Sequence, residues 1–158
     1  EAINNFNSDY HVMPPFRSHE DLLALQKAIK DKTVTAICSD HQPHNEDAKQ
    51  APFSNTQPGI SSIELLLPLL MELVDKNILD LETAVSKVTS NPASILGINS
   101  GVISKGSSAD LCILKNKEWK YEKSKIISSG KNSPFINKNF KTVVEKTICD
   151  GKLVYERK

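Results

Sequence analysis

The sequence predicts an α/β fold in which strand–helix alternation, as in a β/α barrel, is followed by a small all-β module. Up to about residue 98, β-branched apolar segments alternate with segments whose apolar residues fall at helical spacing. Beyond Gly101, short β-branched segments are instead separated by glycine-containing turns. We therefore place a boundary near residues 98–101 and predict two domains, residues 1–98 and residues 99–158.

Composition narrows the class of protein. The 158 residues are 39% hydrophobic and 25% charged, which is typical of a globular protein with a real core. A formal net charge of +1 provides no field to attract nucleic acid or an anionic membrane. The longest apolar run, residues 65–71, is interrupted by Pro68 and is too short to span a bilayer. We expect neither nucleic acid nor membrane among the partners.

The N-terminal part predicts one helix and one strand. Residues 1–17 are polar and irregular and end in two adjacent prolines with Phe16 and Arg17, which favour an extended strand end or a loop. Ser18 is suited to cap a helix over residues 19–31, where the apolar side chains recur at helical spacing. The β-branched segment from Thr33 to Cys38 predicts a short buried strand that leads directly into Asp40.

Three further helices are predicted before the boundary. Residues 60–76 form an apolar helix in which Pro68 is expected to introduce a kink or end the first half. Asp80 is suited to cap a helix over residues 81–90, and a short helix that opens with Asn-Pro ends at Gly97.

Beyond the boundary, four segments predict strands, and the cysteines fall in apolar strand-like sequence. The cysteines are widely spaced without a CxxC pair, which favours reduced thiols in a cytoplasmic protein over a disulfide or zinc framework. We expect each thiol to pack in the core. The strands are Val102-Ile103, Asp110 to Leu114, Val143 to Cys149 and Leu153 to Tyr155, and the cysteines are Cys38, Cys112 and Cys149.

The strongest candidate for a catalytic or metal-binding segment is Ser39-Asp40-His41-Gln42-Pro43-His44. A carboxylate at the carboxyl end of a strand, opening the long loop 41–59, lies where β/α barrels place catalytic groups. Aspartate and histidine together suit a divalent metal such as zinc. The alternative is that Asp40 caps the loop while both histidines lie on the surface. We expect surface or capping roles for the other two histidines, His11 and His19, so four histidines cannot complete a two-metal site.

Several motifs, in matching order and spacing from about residue 10 onward, occur together in one known family. The segment Met13-Pro14-Pro15-Phe16-Arg17-Ser18 is similar to the family's Asn-Pro-Pro-Leu-Arg-Ser. It is followed by Asp40-His41-x-Pro43-His44, Ala51-Pro52-Phe53, Pro58-Gly59-Ile60 and Glu64, and together these segments resemble the dihydroorotases of the amidohydrolase superfamily. The later motifs resemble the general ending of amidohydrolases: Asn91-Pro92-Ala93, Leu96-Gly97, Gly101-x-Ile103-x-x-Gly106-x-x-Ala109-Asp110-Leu111, Asn132-Ser133-Pro134-Phe135 and Asp150-Gly151-Lys152.

The resemblance implies a fold and a site. Residues 1–98 would be the C-terminal portion of a (β/α)8 TIM barrel, and residues 99–158 part of a composite β-sandwich. Asp40 would leave the last barrel strand, face a cavity, bind zinc and exchange a proton as carbamoyl aspartate and dihydroorotate interconvert. His44 matches a position that contacts the substrate carboxylate, Pro58 and Gly59 match the pocket-lining loop, and His41 would support that loop. The remaining metal ligands would lie on a missing N-terminal part of the same protein, so this fragment alone would be inactive.

Two departures from the family pattern leave three hypotheses open. Met13 replaces an asparagine that hydrogen-bonds the substrate, and a thioether lacks the donors of an amide. Ser39 and Gln42 replace the usual threonine and alanine. The parent would be a zinc dihydroorotase of pyrimidine biosynthesis, a non-catalytic homologue that scaffolds aspartate transcarbamoylase, or a hydantoinase-like enzyme, with a homo-oligomer expected. Met13 favours the second hypothesis over the first, and His44 with Pro58-Gly59 counts against the third.

Overall fold

A computed structural model describes residues 5–157 of the chain. Within that range, no helix has the length and continuous apolarity that crossing a membrane requires. The helices are α1 (His19–Lys30), α2 (Leu66–Asp75), α3 (Leu81–Ser86) and α4 (Ser90–Leu96), and the strands are β1 (Leu111–Lys120), β2 (Asn139–Cys149) and β3 (Lys152–Glu156). Short 3-10 turns occupy Ser8–Tyr10, Glu46–Lys49, Phe53–Asn55, Ile63–Leu65 and Lys123–Lys125.

The chain folds into two compact units that interleave along the sequence. The first, here called the loop unit, comprises residues 5–19, 39–66 and 120–139. The second, the helix–sheet unit, comprises residues 20–38, 67–119 and 140–157. These units describe packing within this chain, so the assignment of residues 1–98 and 99–158 to a barrel and a sandwich stays a prediction.

Local sequence signals account for the helices. The helix predicted over residues 19–31 is α1. The predicted disruption at Pro68 is wrong, because α2 begins two residues earlier and continues without interruption to Asp75. Pro68 therefore lies in the first helical turn, where a backbone N–H would have no partner within the helix.

The caps of the two short helices are as predicted. Asp80 Oδ1 accepts a hydrogen bond from the Thr83 backbone N–H at 2.7 Å, and bonds of this kind lower the pKa of the Asp80 carboxyl. Helix α3 is shorter than predicted and ends at Ser86, and α4 begins at Ser90. Gly97 ends α4 with φ +66°, a left-handed conformation that glycine adopts without a Cβ penalty.

An apolar core holds the helices of the helix–sheet unit together. Its fully buried members come from α2, the turn after it, and α3, and partly buried side chains from α1 and the following segments pack around them. Burial of this apolar area is the main stabilising contribution in the unit. The buried residues are Leu70, Met71, Leu79 and Ala84, packed against Ile29, Ile37, Leu73, Val74, Ile78 and Val88.

The three strands form one sheet with β2 in the centre. Strands β2 and β3 pair antiparallel through a two-residue turn, Asp150-Gly151, whose φ angles of +48° and +73° are those that a tight hairpin of this hand requires. Trp119 stacks on the buried Phe140 with ring centroids 5.5 Å apart. The strands predicted within residues 110–114, 143–149 and 153–155 are confirmed. The strand predicted at Val102-Ile103 is wrong, and Ile103 is 90% exposed.

The buried strand predicted over residues 33–38 is also wrong. None of these residues is buried or paired in a ladder. The Ile37 backbone N–H donates to Lys87 O at 3.0 Å, Asn91 Nδ2 donates to Thr35 O at 2.9 Å, and Lys87 Nζ donates to Val34 O. A β-branched segment becomes a strand only where a neighbouring strand offers hydrogen bonds, and here the region of α3 and α4 offers them instead.

The prediction of buried cysteines is wrong as well. Cys38, Cys112 and Cys149 are all exposed. Cys38 lies in the segment that forms no strand, while Cys112 and Cys149 lie on β1 and β2 at positions that other parts of the described chain do not cover. Strand alternation predicts which side chains share a face, but only the packing of that face determines whether it is buried.

Candidate active site

The long loop after Asp40 folds back so that its two ends meet. His41 and Ile60 form a parallel β-bridge, and the Gln42 backbone N–H donates to Ile60 O at 2.9 Å. Between these ends the chain makes two short 3-10 turns. Hydrogen bonding at the base of a loop restricts its entropy, so the side chains near the base have defined positions.

Asp40 lies exposed at the start of this loop. Its φ of +43° is in the left-handed region, which aspartate tolerates better than most residues. Gln42 Nε2 donates to Asp40 Oδ1 at 3.2 Å. The carboxylate is therefore accessible, but it does not leave a strand as the sequence predicted, because residues 33–40 form none.

The other three predicted pocket residues lie together. His44 Nε2–H donates to Pro58 O at 2.9 Å, a bond that assigns the proton to Nε2. Gly59 is buried with φ +132°, and a Cβ at this position would lie 2.5 Å from Gln42 Cβ and 3.0 Å from His44 Nε2. Only glycine fits so close to both side chains.

His41 faces the main chain of the following turn. Its Nδ1 accepts hydrogen bonds from the backbone N–H groups of Ser62 at 3.0 Å and Ile63 at 3.1 Å. Its Nε2–H donates to Ser128 Oγ at 3.3 Å. Both ring nitrogens are thus engaged, which gives His41 the loop-supporting position expected from the sequence and leaves no lone pair for a metal.

The segment that precedes Met13 is anchored to the same loop. Lys49 Nζ donates to Ser8 O at 3.1 Å and to His11 O at 3.4 Å, and the Gly59 backbone N–H donates to His11 O at 2.8 Å. Lys49 is buried, and burial lowers the pKa of its ammonium group, while the charge of Asp9 acts in the opposite direction. Met13 itself is 61% exposed.

His11 has a structural role that the sequence analysis missed. Its Nδ1–H donates to Thr56 Oγ1 at 2.7 Å, and its ring centroid lies 4.7 Å from the ring centroid of Phe53. The ring is half-buried, whereas a surface or capping role was expected. No local signal could have identified it, because its partners lie more than forty positions away. His19, in contrast, is exposed at the first position of α1, as expected.

A third segment of the loop unit, residues 126–133, packs against the loop and was missed as a functional element. Glu64 Oε1 accepts hydrogen bonds from the backbone N–H groups of Ile127 at 2.9 Å and Ser128 at 3.1 Å. Asn132 bonds to the main chain on both sides of the loop. Membership of Glu64 and Asn132 in the family-like motifs was their only sequence signal.

A cavity of about 270 Å³ lies beside His44 in the loop unit. Lys123 forms an ion pair with Glu46 across part of this wall, and this pair lowers the pKa of the Glu46 carboxyl. Cations outnumber carboxylates in the lining, so the cavity favours a small anionic ligand. The charged lining consists of Lys49, Lys123 and Lys131 against Asp9 and Glu46.

The metal implied by the family resemblance would need a set of donor side chains that converge on one point. Within residues 5–157, no three histidine, cysteine, aspartate or glutamate side chains approach closely enough to hold a metal ion. A zinc site takes three or four protein ligands. This chain by itself therefore does not fit zinc, and Asp40 offers a single exposed carboxylate.

Comparison with known proteins assigns a family. The model of the Amidohydrolase family matches residues 7–154. A dihydroorotase-like protein of Pseudomonas aeruginosa is 43% identical over 99% of this chain and 37% of its own length. A dihydroorotase of Syntrophus aciditrophicus is 40% identical over 99% of this chain and 37% of its own length. The resemblance to dihydroorotases is thereby confirmed, and the chain spans little more than a third of the length of these relatives.

Solved structures share the fold. The L-hydantoinase (dihydropyrimidinase) of Arthrobacter aurescens superposes with a TM-score of 0.89 at 28% identity, over 98% of this chain and 36% of that one. A D-hydantoinase superposes with a TM-score of 0.85 at 22% identity, over 95% and 34% of the two chains. These similarities extend over both units of the described chain.

Proposed function

This chain belongs to the Amidohydrolase family, and on that premise we propose that it is the C-terminal part of a dihydroorotase-like cyclic amidohydrolase. The observation that most supports this proposal is the 40% identity to a dihydroorotase over 99% of the chain. The barrel and sandwich assignments of residues 1–98 and 99–158 are part of the proposal, as is a role in pyrimidine biosynthesis.

The proposed substrate fits the charges of the loop unit. Dihydroorotate carries a carboxylate, and the charged lining of the cavity beside His44 has three lysines against two carboxylates. His44 and Gly59, held together by the Pro58 contact, would orient the substrate. An uncharged hydantoin ring would not use this excess of positive charge, so the lining favours the acidic substrate over a hydantoin.

Asp40 is proposed as the proton-exchanging group. When a cyclic amide is hydrolysed, water adds to the ring carbonyl carbon, the C–N bond breaks and the ring nitrogen gains a proton. An exposed carboxylate can take the proton from the attacking water and return it to the leaving nitrogen. Zinc and its other ligands would belong to the longer protein.

A second candidate is a non-catalytic homologue that scaffolds aspartate transcarbamoylase. Two observations favour it: the thioether of Met13 stands where the resemblance implies a substrate-binding asparagine, and the chain is 43% identical to a protein named only dihydroorotase-like. In this case the hydrogen bonds of the loop would serve structure alone.

The deciding experiment uses a full-length protein that contains this chain. We expect measurable hydrolysis of dihydroorotate with bound zinc, and a loss of at least about 100-fold in kcat for Asp40→Asn. Asp47→Asn is the matched control, because Asp47 is an exposed aspartate of the same loop, and it should retain activity. A metal-free wild type without turnover, which co-purifies with aspartate transcarbamoylase, would contradict the catalytic proposal and support the scaffold.

A further inference from the structure

We propose that Asn132 is a positioning residue that sets both sides of the candidate substrate pocket, an inference that rests on the proposed function. Asn132 is 7% exposed. Its Oδ1 accepts a hydrogen bond from the His44 backbone N–H at 2.7 Å. Its Nδ2 donates to Gly59 O at 3.0 Å and to Gln42 O at 3.1 Å. One amide therefore joins the two ends of the long loop.

The chemistry of these three bonds requires an amide in one orientation. A side-chain amide has one acceptor oxygen and two N–H donors, and here the oxygen meets an N–H while both donors meet carbonyl oxygens. Rotating the amide by half a turn would place donor against donor and acceptor against acceptor. Neither a hydroxyl nor a carboxylate offers the same set, so the position is specific for asparagine.

The main chain around Asn132 adds two further constraints. Its carbonyl oxygen accepts a hydrogen bond from the Ser61 backbone N–H at 2.8 Å. Two residues earlier, a Cβ on Gly130 would lie 2.4 Å from the His44 nitrogen and 2.6 Å from the Pro43 carbonyl carbon. The segment from Gly130 to Asn132 therefore lies directly against the backbone of His44, and the absence of a side chain at Gly130 permits this approach.

The consequence concerns substrate affinity more than the chemical step. His44 and Gly59 belong to the proposed pocket, and two side-chain bonds of Asn132 go to their main chains. The third goes to the main chain of Gln42, and none goes to Asp40. Loss of these bonds frees the two pocket walls to move relative to each other, while the proton-exchanging carboxylate loses no hydrogen bond of its own. Positioning errors at a binding wall raise KM before they lower kcat.

The first test measures backbone amide hydrogen exchange in the full-length protein. In Asn132→Ala, which removes the side-chain acceptor of the His44 N–H, we expect the His44 amide to exchange at least about tenfold faster, while the amides of α2 remain unchanged. Asn139→Ala, which alters an exposed asparagine at the start of β2, should change none of them. Unchanged exchange at His44, or an equal acceleration throughout the molecule, would overturn the proposal.

The second test separates binding from chemistry. With dihydroorotate as substrate, Asn132→Ala should raise KM by about tenfold and change kcat by less than about threefold. A fall in kcat with KM unchanged would overturn the positioning role. A wild type without activity would contradict the proposed function instead, and the exchange of the His44 amide would then decide the role of Asn132 by itself.

Two variants cover the case in which Asn132→Ala does not fold. Asn132→Asp keeps the acceptor for the His44 N–H but sets a carboxylate against two carbonyl oxygens, so it should raise KM in the same direction as the alanine variant and accelerate exchange at His44 less. Gly130→Ala leaves Asn132 intact and pushes a methyl group against the His44 backbone. It should raise KM in the same direction, and a Gly130→Ala protein with normal KM and normal exchange would overturn the proposal.

Discussion

At the scale of single residues, the loop unit is held together by buried polar groups. Thr56, Ser62 and Asn132 are buried, and their side chains hydrogen-bond to main-chain atoms of distant or neighbouring residues. Such bonds are needed because an unpaired polar group costs free energy when it leaves water. Among residues 5–157, the Ser61 hydroxyl is the buried side-chain group without a partner.

Ser61 and Ser62 are adjacent buried serines that differ in hydrogen bonding, so their alanine variants can be compared directly. Ser61→Ala removes a buried hydroxyl that makes no bond, so we expect the free energy of unfolding to stay within about 0.5 kcal/mol or to rise. Ser62→Ala removes the donor to Ser39 O, a bond of 2.8 Å, and should lower it by about 1 kcal/mol. Urea denaturation of both variants checks the order, and an equal loss in both would contradict it.

At the scale of elements, residues in and next to helices α3 and α4 form the hydrogen bonds that a neighbouring strand was expected to form. The extended segment of residues 34–37 bonds to Lys87 and Asn91 through both backbone and side chains. The ammonium group of Lys87 lies on a residue that is 1% exposed and reaches a carbonyl oxygen of this segment. The lysine therefore ties the segment before Asp40 to the helices.

Removal of this contact should destabilise the helix–sheet unit. Lys87→Met retains most of the volume but leaves the Val34 carbonyl without its donor, and we expect a loss of about 1–3 kcal/mol in the free energy of unfolding. Lys76→Met serves as the control, because Lys76 lies on the surface at the end of α2 and should change stability by less than about 0.5 kcal/mol. Equal stability of the two variants in urea would show that the buried contact contributes nothing.

At the scale of the whole molecule, two kinds of interior stabilise one chain. The helix–sheet unit buries aliphatic side chains, whereas the interior of the loop unit is largely polar and includes the phenol of Tyr121. Tyr121 is 2% exposed, and its burial together with the charge of Glu64 raises the pKa of the phenol to about 12. In the unfolded chain the phenol titrates near its ordinary pKa of about 10.

The shift predicts a loss of stability in alkali. Because the folded pKa is the higher one, the stabilising contribution is complete below about pH 10 and is lost as the pH rises toward about 12. We expect the free energy of unfolding of the wild type to fall across this interval, and Tyr121→Phe to reduce the fall. Tyr155→Phe, on β3, should retain it. Denaturation at a series of pH values checks both, and an identical fall in Tyr121→Phe would contradict the assignment.

The sequence by itself determined the features whose causes lie within a few residues. The cap at Asp80, the end of α4 at Gly97 and the Asp150-Gly151 turn follow from side-chain and backbone chemistry that each segment contains. The motif spacing likewise identified the dihydroorotase resemblance. It predicted that His44 and Gly59 line the substrate pocket, and the structure places these two residues next to each other.

Tertiary structure decided the features that depend on distant partners. The segment at residues 33–38 has strand-forming side chains, yet its hydrogen-bond partners include Lys87, directly after α3, and Asn91 of α4, and no strand. The exposure of Cys38 depends on what packs over it, and not on its neighbours in sequence. The bond between His44 and Asn132 joins residues 88 positions apart. Periodicity and capping act over a few residues, so only the folded chain determines which distant group satisfies a polar atom.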